Sequence, residues 1–274
     1  MLCSIVHRTD YVYTAPVEPA RHLLRLSPRR DANLRVQHYV LQVDPWPAQM
    51  IEYLDVHGNS VLQADFAGFT THLHVGMRCT VETFLPPFPG PAVQLGSVYP
   101  PAIWQSLFPY VAIGPPDGNL DALGADLRYA SAGDADQFLY LLNARLARDI
   151  RHEFRVAGGP QAPAQTLFEG RGACRDVAAL FVDLCRRQNI AARFVSGYQM
   201  RPGTQGPGAM HAWAEVQLPG RAGWQGFDPM HGCLAGEGYV PVAAAADAAA
   251  ATPVEGGFFG SAGCTLTVEV ELYA

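Results

Sequence analysis

Hydrophobic and polar side chains alternate over the first 85 residues with the two-residue period of β-strands. Alternate side chains between residues 5 and 13 share one face, and those between residues 37 and 43 share another. The runs 50–56 and 61–66 flank the pair Gly58-Asn59, which is typical of a hairpin turn. Because nothing here has a helical period, residues 1–85 are predicted to form an all-β domain, a β-sandwich.

The next segment, residues 86–134, begins with an abrupt change in composition. Nine prolines fall between residues 86 and 116. Proline neither donates a backbone hydrogen bond nor continues a helix, so the pattern predicts a connector and not a folded domain. Its aromatic side chains indicate that the connector packs against the rest of the protein.

From residue 135 the hydrophobic period becomes helical. Apolar residues recur at helical spacing at positions 138, 141, 142, 146 and 150, and a second apolar stripe follows Cys174. Strand-like runs then occupy residues 190–198, 211–218, 224–228 and 265–273. Helices followed by consecutive strands predict that residues 135–274 form an α+β domain with an antiparallel sheet, so the whole chain is assigned to the α+β class.

Composition narrows the function further. Only 16% of the 274 residues are charged and the net charge is −6, so binding to nucleic acid is not expected. No run of 18 apolar residues and no signal-peptide pattern occurs, which predicts no membrane association. The six cysteines are irregularly spaced and form no CxxC pair, so we expect a cytoplasmic protein with reduced thiols. No metal or other cofactor is predicted, because His72 and His74 lack further ligands at convincing spacing.

Cys174 is placed where a thiol becomes reactive. It follows the glycines of residues 170–172 at the predicted start of a helix, where free backbone N–H groups and the helix dipole stabilise a thiolate. Cys185 lies on the apolar stripe of the same helix and is interpreted as a core residue. Taken alone, Cys174 would more often be structural than nucleophilic.

A nucleophilic thiol also needs a base and a group that orients the base. His211 opens a predicted strand after a glycine-rich loop, and Asp228 ends the next strand before a proline. Either residue alone is more often structural, a strand-end histidine or a turn aspartate. Together with a cysteine at a helix start they predict a Cys-His-Asp triad.

Several segments resemble one family when they are read in order. They are GACRD at 172–176, ARFVSGY at 192–198, HAWAEV at 211–216 and GWQGFDP at 223–229. The segments at 7–17 and 24–29 are similar to the β-domain that precedes the core in many bacterial members. The chain therefore resembles the bacterial transglutaminase-like superfamily of papain-like cysteine enzymes.

The resemblance implies a role for each member of the triad. Cys174 would be the nucleophile, His211 the general base and acid, and Asp228 the group that orients His211. The implied reaction is acyl transfer from amide bonds of a protein or peptide substrate through a thioester. Whether water or an amine accepts the acyl group stays open.

Other features leave alternatives open. Gln165 competes with Trp213 as a side-chain donor to the oxyanion, and Asp176 either belongs to the family motif or complements the helix dipole. The alanine-rich tract at 243–251, a short helix or a surface loop, replaces a segment that relatives commonly carry. This departure keeps a second interpretation in view, a catalytically silent scaffold whose β-domain binds a protein partner.

Overall fold

The structure is a computed structural model that describes residues 1–30, 33–85, 90–155 and 158–274. Its helices are α1 (Pro101–Val111), α2 (Gly118–Ala130), α3 (Ala135–Asp149), α4 (Pro163–Glu169) and α5 (Cys174–Arg187), and Ala249–Ala251 forms a 3₁₀ turn. The first strands are β1 (Leu2–Pro19), β2 (His22–Leu24), β3 (Leu34–Asp44), β4 (Gln49–Leu54), β5 (Ser60–Asp65) and β6 (Thr70–Thr83). They are followed by β7 (Arg151–His152), β8 (Arg171–Gly172), β9 (Ala191–Gln199), β10 (Gln205–Gly208), β11 (His211–Gln217) and β12 (Gln225–Asp228). The last strands are β13 (Cys233–Ala235), β14 (Tyr239–Ala245), β15 (Val254–Glu255), β16 (Phe258–Phe259) and β17 (Cys264–Tyr273).

The N-terminal region is built from two antiparallel sheets around one core. The larger sheet has the order β10-β17-β1-β6-β3, and the smaller has the order β15-β2-β5-β4. Cys3, Ile5 and Val75 of the larger sheet are buried in the same cluster as Leu24 and its neighbour Leu26 of the smaller one. In β1 the alternation has a physical cause, since every second side chain between residues 3 and 9 is buried in this core, whereas β4 is exposed along its length. The predicted hairpin is present as β4 and β5.

The C-terminal strand corrects the predicted division of the chain. β17 was expected in the sheet of the α+β domain, together with the strands of residues 190–228. It pairs instead with β1, from Ser4 opposite Tyr273 to Tyr13 opposite Cys264, and β10 pairs with its outer edge. The N-terminal sheet therefore includes segments from beyond residue 135. Alternation identified β17 as a strand but carries no information about which strand lies beside it.

The C-terminal region contains the expected antiparallel sheet, in the order β13-β12-β11-β9-β14. Helix α5 packs on one face of it, with Val177 and Phe181 in one cluster with Ala214, Val216 and Phe227. The fold class is confirmed as α+β. These contacts place the start of α5 close to the ends of β11 and β12.

The alanine-rich tract is partly core, and not a short helix or a surface loop throughout. Ala243, Ala244 and Ala245 lie within β14 beside β9 and are fully buried. Ala243 and Ala245 pack in one cluster with Ala178 of α5. The tract thus contributes small apolar side chains to the core.

Two helices lie within the segment that was predicted to be a connector. Leu107 and Tyr110 of α1, and Leu120, Leu123 and Leu127 of α2, are buried. Pro101 occupies the first turn of α1, where its missing N–H costs nothing. The density of prolines therefore concealed helical structure. The start of the predicted connector, residues 86–89, lies outside the described residues.

Within the described ranges, no helix has both the length and the apolar character needed to cross a membrane.

Candidate active site

Cys174 is the first residue of α5, and the capping of that helix fixes its position. The backbone N–H of Ala173 donates to Asp176 Oδ2 at 2.7 Å, which ends the extended chain and begins the helix. A Cβ on Gly172 would lie 2.9 Å from Asp176 Cβ, so only glycine permits this approach. The thiol is therefore held at a helix N-terminus, in a partly buried position.

Asp176 also anchors the loop beside the nucleophile. Its Oδ1 accepts from Arg155 Nη2 at 2.6 Å and from the backbone N–H of Gln161 at 2.8 Å. The residue is 1% exposed. Asp176 thus caps the helix and binds Arg155 and Gln161, which is a structural role.

His211 is brought to the site by the central sheet. It is the first residue of β11 and lies opposite Gly197 of β9. The Trp213 indole stacks against the imidazole with ring centroids 6.3 Å apart. A Cβ on Gly197 would lie 2.7 Å from that indole, so the glycine leaves the room that Trp213 needs. Trp213 is 1% exposed and is therefore a core residue, and its ring packs against that of His211.

Asp228 is the last residue of β12 and is fully buried. Its Oδ2 accepts a hydrogen bond from His211 Nε2 at 2.7 Å. The same oxygen accepts from His231 Nδ1 at 2.7 Å and from the Tyr239 hydroxyl at 2.8 Å. Reasoning from the sequence missed His231 and Tyr239. Only the position of His231 three residues after Asp228, beyond the Asp-Pro turn, could have indicated its contact.

The charges of the site favour a thiolate beside an imidazolium. Burial lowers the pKa of His211, but the hydrogen bonds and charges of Asp228 and Cys174 outweigh it and raise the pKa to about 9. Burial raises the pKa of Cys174, yet the bond to His211 and its charge bring the pKa below its ordinary value. Asp228 behaves likewise, since its hydrogen bonds from His211 and His231 overcome burial and lower its pKa. The pKa shifts thus couple the thiol to the imidazole, and the 2.7 Å hydrogen bond joins the imidazole to the carboxylate.

Cys185 provides a contrast within the same helix. It is fully buried among apolar side chains, and that burial raises its pKa well above the ordinary value. All six cysteines are free thiols, but of the two in α5 only Cys174 has a lowered pKa. Position at the helix start, and not membership of the helix, distinguishes them.

Gln165, singled out from the sequence as an oxyanion donor, lies elsewhere, and so does Trp224. Gln165 is exposed on α4 and donates to Glu169 Oε1 at 2.8 Å, so its amide does not face the thiol. Trp224 stacks under the guanidinium of Arg193, which lies 4.3 Å from its ring centroid and pairs with Glu215. Among the described residues, no hydrogen bond joins either side chain to Cys174, His211 or Asp228.

The cluster His211, Asp228 and His231 is the one group among the described residues whose geometry is compatible with a metal ion, with donor atoms within 4.8 Å of one another. Two hydrogen bonds of 2.7 Å already join these side chains. Such short separations indicate shared protons, so we interpret the cluster as a hydrogen-bond network.

Comparison with known proteins identifies two regions of the chain. Residues 3–82 match the bacterial transglutaminase-like N-terminal region, and residues 129–229 match the transglutaminase-like superfamily. An uncharacterized protein of Mycobacterium tuberculosis is 28% identical over 279 residues, covering 92% of this chain and 86% of that protein. An uncharacterized protein of Mycobacterium leprae is 27% identical, covering 98% and 97%.

A solved structure shares the fold. The crystal structure of a candidate cysteine protease from Cytophaga hutchinsonii superposes with a TM-score of 0.72 at 21% identity, covering 100% of this chain and 90% of that one. The arrangement of the two sheets and the helices is therefore one already seen by experiment. The second family match begins within α2, which assigns part of the segment predicted as a connector to the core domain.

Proposed function

The chain carries a transglutaminase-like superfamily core behind a bacterial transglutaminase-like N-terminal region, and on that premise we propose that it is a cysteine-dependent acyl-transfer enzyme. Its substrates are amide bonds of proteins or peptides. The observation that carries the proposal is the line from Cys174 through His211 to the buried Asp228, with the pKa of the thiol lowered and that of the imidazole raised.

The chemistry follows from the order of these groups. The Cys174 thiolate attacks the amide carbonyl carbon, a C–S bond forms, and the carbonyl π electrons move onto oxygen. When the oxyanion collapses, the C–N bond breaks and His211 gives its proton to the leaving amine. Water or an amine then attacks the thioester and transfers a proton to His211, and the thiolate leaves. Because Asp228 engages Nε2 of His211, Nδ1 is the nitrogen that serves the thiol.

The start of α5 offers a donor to the oxyanion. The first backbone N–H groups of a helix lack partners within the helix, and Cys174 occupies the first helical position. We assign its backbone N–H as one donor, where the helix dipole also favours negative charge. Gln165 is not assigned as the second, because its amide is bonded to Glu169.

The experiment that tests the proposal measures thiol reactivity residue by residue. Iodoacetamide alkylation of each cysteine is followed between pH 4 and 10 by mass spectrometry, with the exposed Cys233 as an internal reference. We expect Cys174 to react well below the ordinary thiol pKa of about 8.5 and to lose that reactivity in His211→Ala. A Cys174 that titrates like Cys233 would refute the thiolate–imidazolium pair and leave the scaffold interpretation.

The reaction itself is tested on a peptide mixture, with and without a primary amine. Mass spectrometry then separates new chain ends, deamidated side chains and amine adducts, which identifies the acceptor. Cys174→Ala is expected to abolish every product, whereas Cys185→Ala is expected to retain them. Location in the cytoplasm stays a prediction from the sequence.

A further inference from the structure

We propose that His231 is a positioning residue of this site, which holds and covers the Asp228 carboxylate so that Asp228 in turn holds His211. The inference rests on the proposed function, because it assigns a role within the same Cys-His-Asp line. His231 lies on neither β11 nor α5. It belongs to the turn that follows β12, three residues after Asp228.

The two carboxylate oxygens of Asp228 accept hydrogen bonds from different groups. Oδ1 accepts from the backbone N–H groups of Met230 at 3.1 Å and His231 at 3.2 Å, and the Asp228 carbonyl accepts from Gly232 N at 2.8 Å. These bonds form the turn that carries the His231 ring back toward the carboxylate. Oδ2 is left for side chains, and His211, His231 and Tyr239 donate to it. One carboxylate therefore builds the turn with one oxygen and orients the base with the other.

His231 is the most exposed of the three side-chain donors. Its side chain is 35% exposed, whereas that of His211 is 12% exposed and Tyr239 is 9% exposed. The Asp228 side chain that accepts their bonds is fully buried. The His231 ring therefore lies between the carboxylate and solvent on that side. Its centroid is 5.1 Å from that of His211, so the two imidazoles also pack against each other.

Covering the carboxylate strengthens its effect on His211. A charge acts more strongly across a hydrogen bond when water is excluded, because less solvent screens it. If the His231 side chain is truncated, water reaches Oδ2 and the carboxylate is freer to turn. The imidazolium of His211 is then less stabilised, and the thiolate of Cys174 with it.

The test compares His231→Ala with His231→Asn. Asparagine places its Nδ2 where the imidazole has Nδ1 and can make the same bond to Asp228, so it tests the bond and not the ring. The exposed His38 of β3 supplies the control His38→Ala, the same change on a strand that carries none of the site residues. In each variant the Cys174 alkylation rate is measured across pH, and secondary structure is checked by circular dichroism.

We expect the pH window of high Cys174 reactivity to narrow at its acid end by about one unit in His231→Ala, the size that loss of a bond to a charged group predicts. The window should return in His231→Asn and stay unchanged in His38→Ala. Should the alanine variant fail to fold, His231→Leu, which fills the space but cannot donate, is expected to narrow the window too.

Two results would overturn the role of His231. One is a His231→Ala window equal to that of the unmodified protein, and the other is an asparagine variant no better than the alanine variant. Neither result affects the proposed function, which fails only if the unmodified protein lacks a reactive Cys174 at low pH. The two failures are thus distinguished in a single experiment.

Discussion

Replacing Asp228 by asparagine removes the charge at the buried end of the Cys-His-Asp line and changes almost nothing in volume. Both carboxylate oxygens act as acceptors, Oδ1 from two backbone N–H groups and Oδ2 from three side chains. An amide has one acceptor oxygen, so either orientation turns its NH₂ group toward donors. The variant therefore loses charge-assisted bonds on one oxygen and gains an opposed donor on the other.

The expected size of the effect on His211 follows from its pKa. At pH 7.5, a pKa of about 9 keeps about 97% of the His211 side chain as imidazolium. Without the carboxylate, an ordinary imidazole pKa near 6.5 leaves roughly 9%. We therefore expect about a tenfold lower population of the thiolate–imidazolium pair in Asp228→Asn. The acid limb of Cys174 alkylation should therefore move to higher pH, because the thiolate loses the imidazolium that stabilises it.

The same variant is expected to be less stable. Breaking a buried, hydrogen-bonded ion pair by removing one charge costs about 3 kcal/mol or more of the free energy of unfolding. Because the pKa of Asp228 is lower in the folded protein, its contribution is present above the ordinary pKa of 3.8 and is lost as pH falls below it. In Asp228→Asn the free energy of unfolding should therefore fall less steeply as the pH is lowered below 3.8.

Two assays decide the outcome, denaturant unfolding between pH 3 and 8 and site-resolved alkylation of Cys174. Asp117→Asn is the matched control, since Asp117 caps α2 and asparagine serves that position equally well. An Asp228→Asn protein with unchanged Cys174 reactivity across pH would refute the reasoning, because Asp228 would then not govern His211.

Three further substitutions test the packing around the site. Cys185→Ala should lower the free energy of unfolding by about 1 kcal/mol through a small cavity and leave the alkylation rate of Cys174 unchanged. A lower alkylation rate of Cys174 would contradict this. Gly197→Ala should destabilise by at least 2 kcal/mol and lower thiol reactivity, because the new Cβ collides with the Val240 carbonyl and the Trp213 indole; normal alkylation and an unchanged unfolding midpoint would count against it. Glu215→Ala should cost about 3 kcal/mol by breaking the buried pair with Arg193, measured by denaturant unfolding, whereas Glu215→Gln should cost less.

Local patterns in the sequence were sufficient for most of the elements. The two-residue period identified β1 and the helical period identified α3 and α5, because each reflects which side chains face a core. The Gly58-Asn59 turn signal identified the hairpin of β4 and β5. The helices α1 and α2 were missed, since prolines at their ends and near them masked the period. Pairing was not predictable either. β17 forms its hydrogen bonds with β1, more than 250 residues away in the chain, and its alternation is the same whichever strand lies beside it.

The residues proposed to form the Cys-His-Asp line were selected from the sequence for a related reason. Cys174 begins a helix, His211 begins a strand and Asp228 ends one. At the helix start, backbone N–H groups without partners inside the helix are free to bind other groups. What the sequence could not supply is the surroundings that set their charges. His231 and Tyr239 reach Asp228 only because the turn after β12 folds back and β14 lies at hydrogen-bonding distance. Burial and hydrogen bonding act through space, so the shifts in pKa, and with them the chemistry of the site, were decided by the tertiary structure alone.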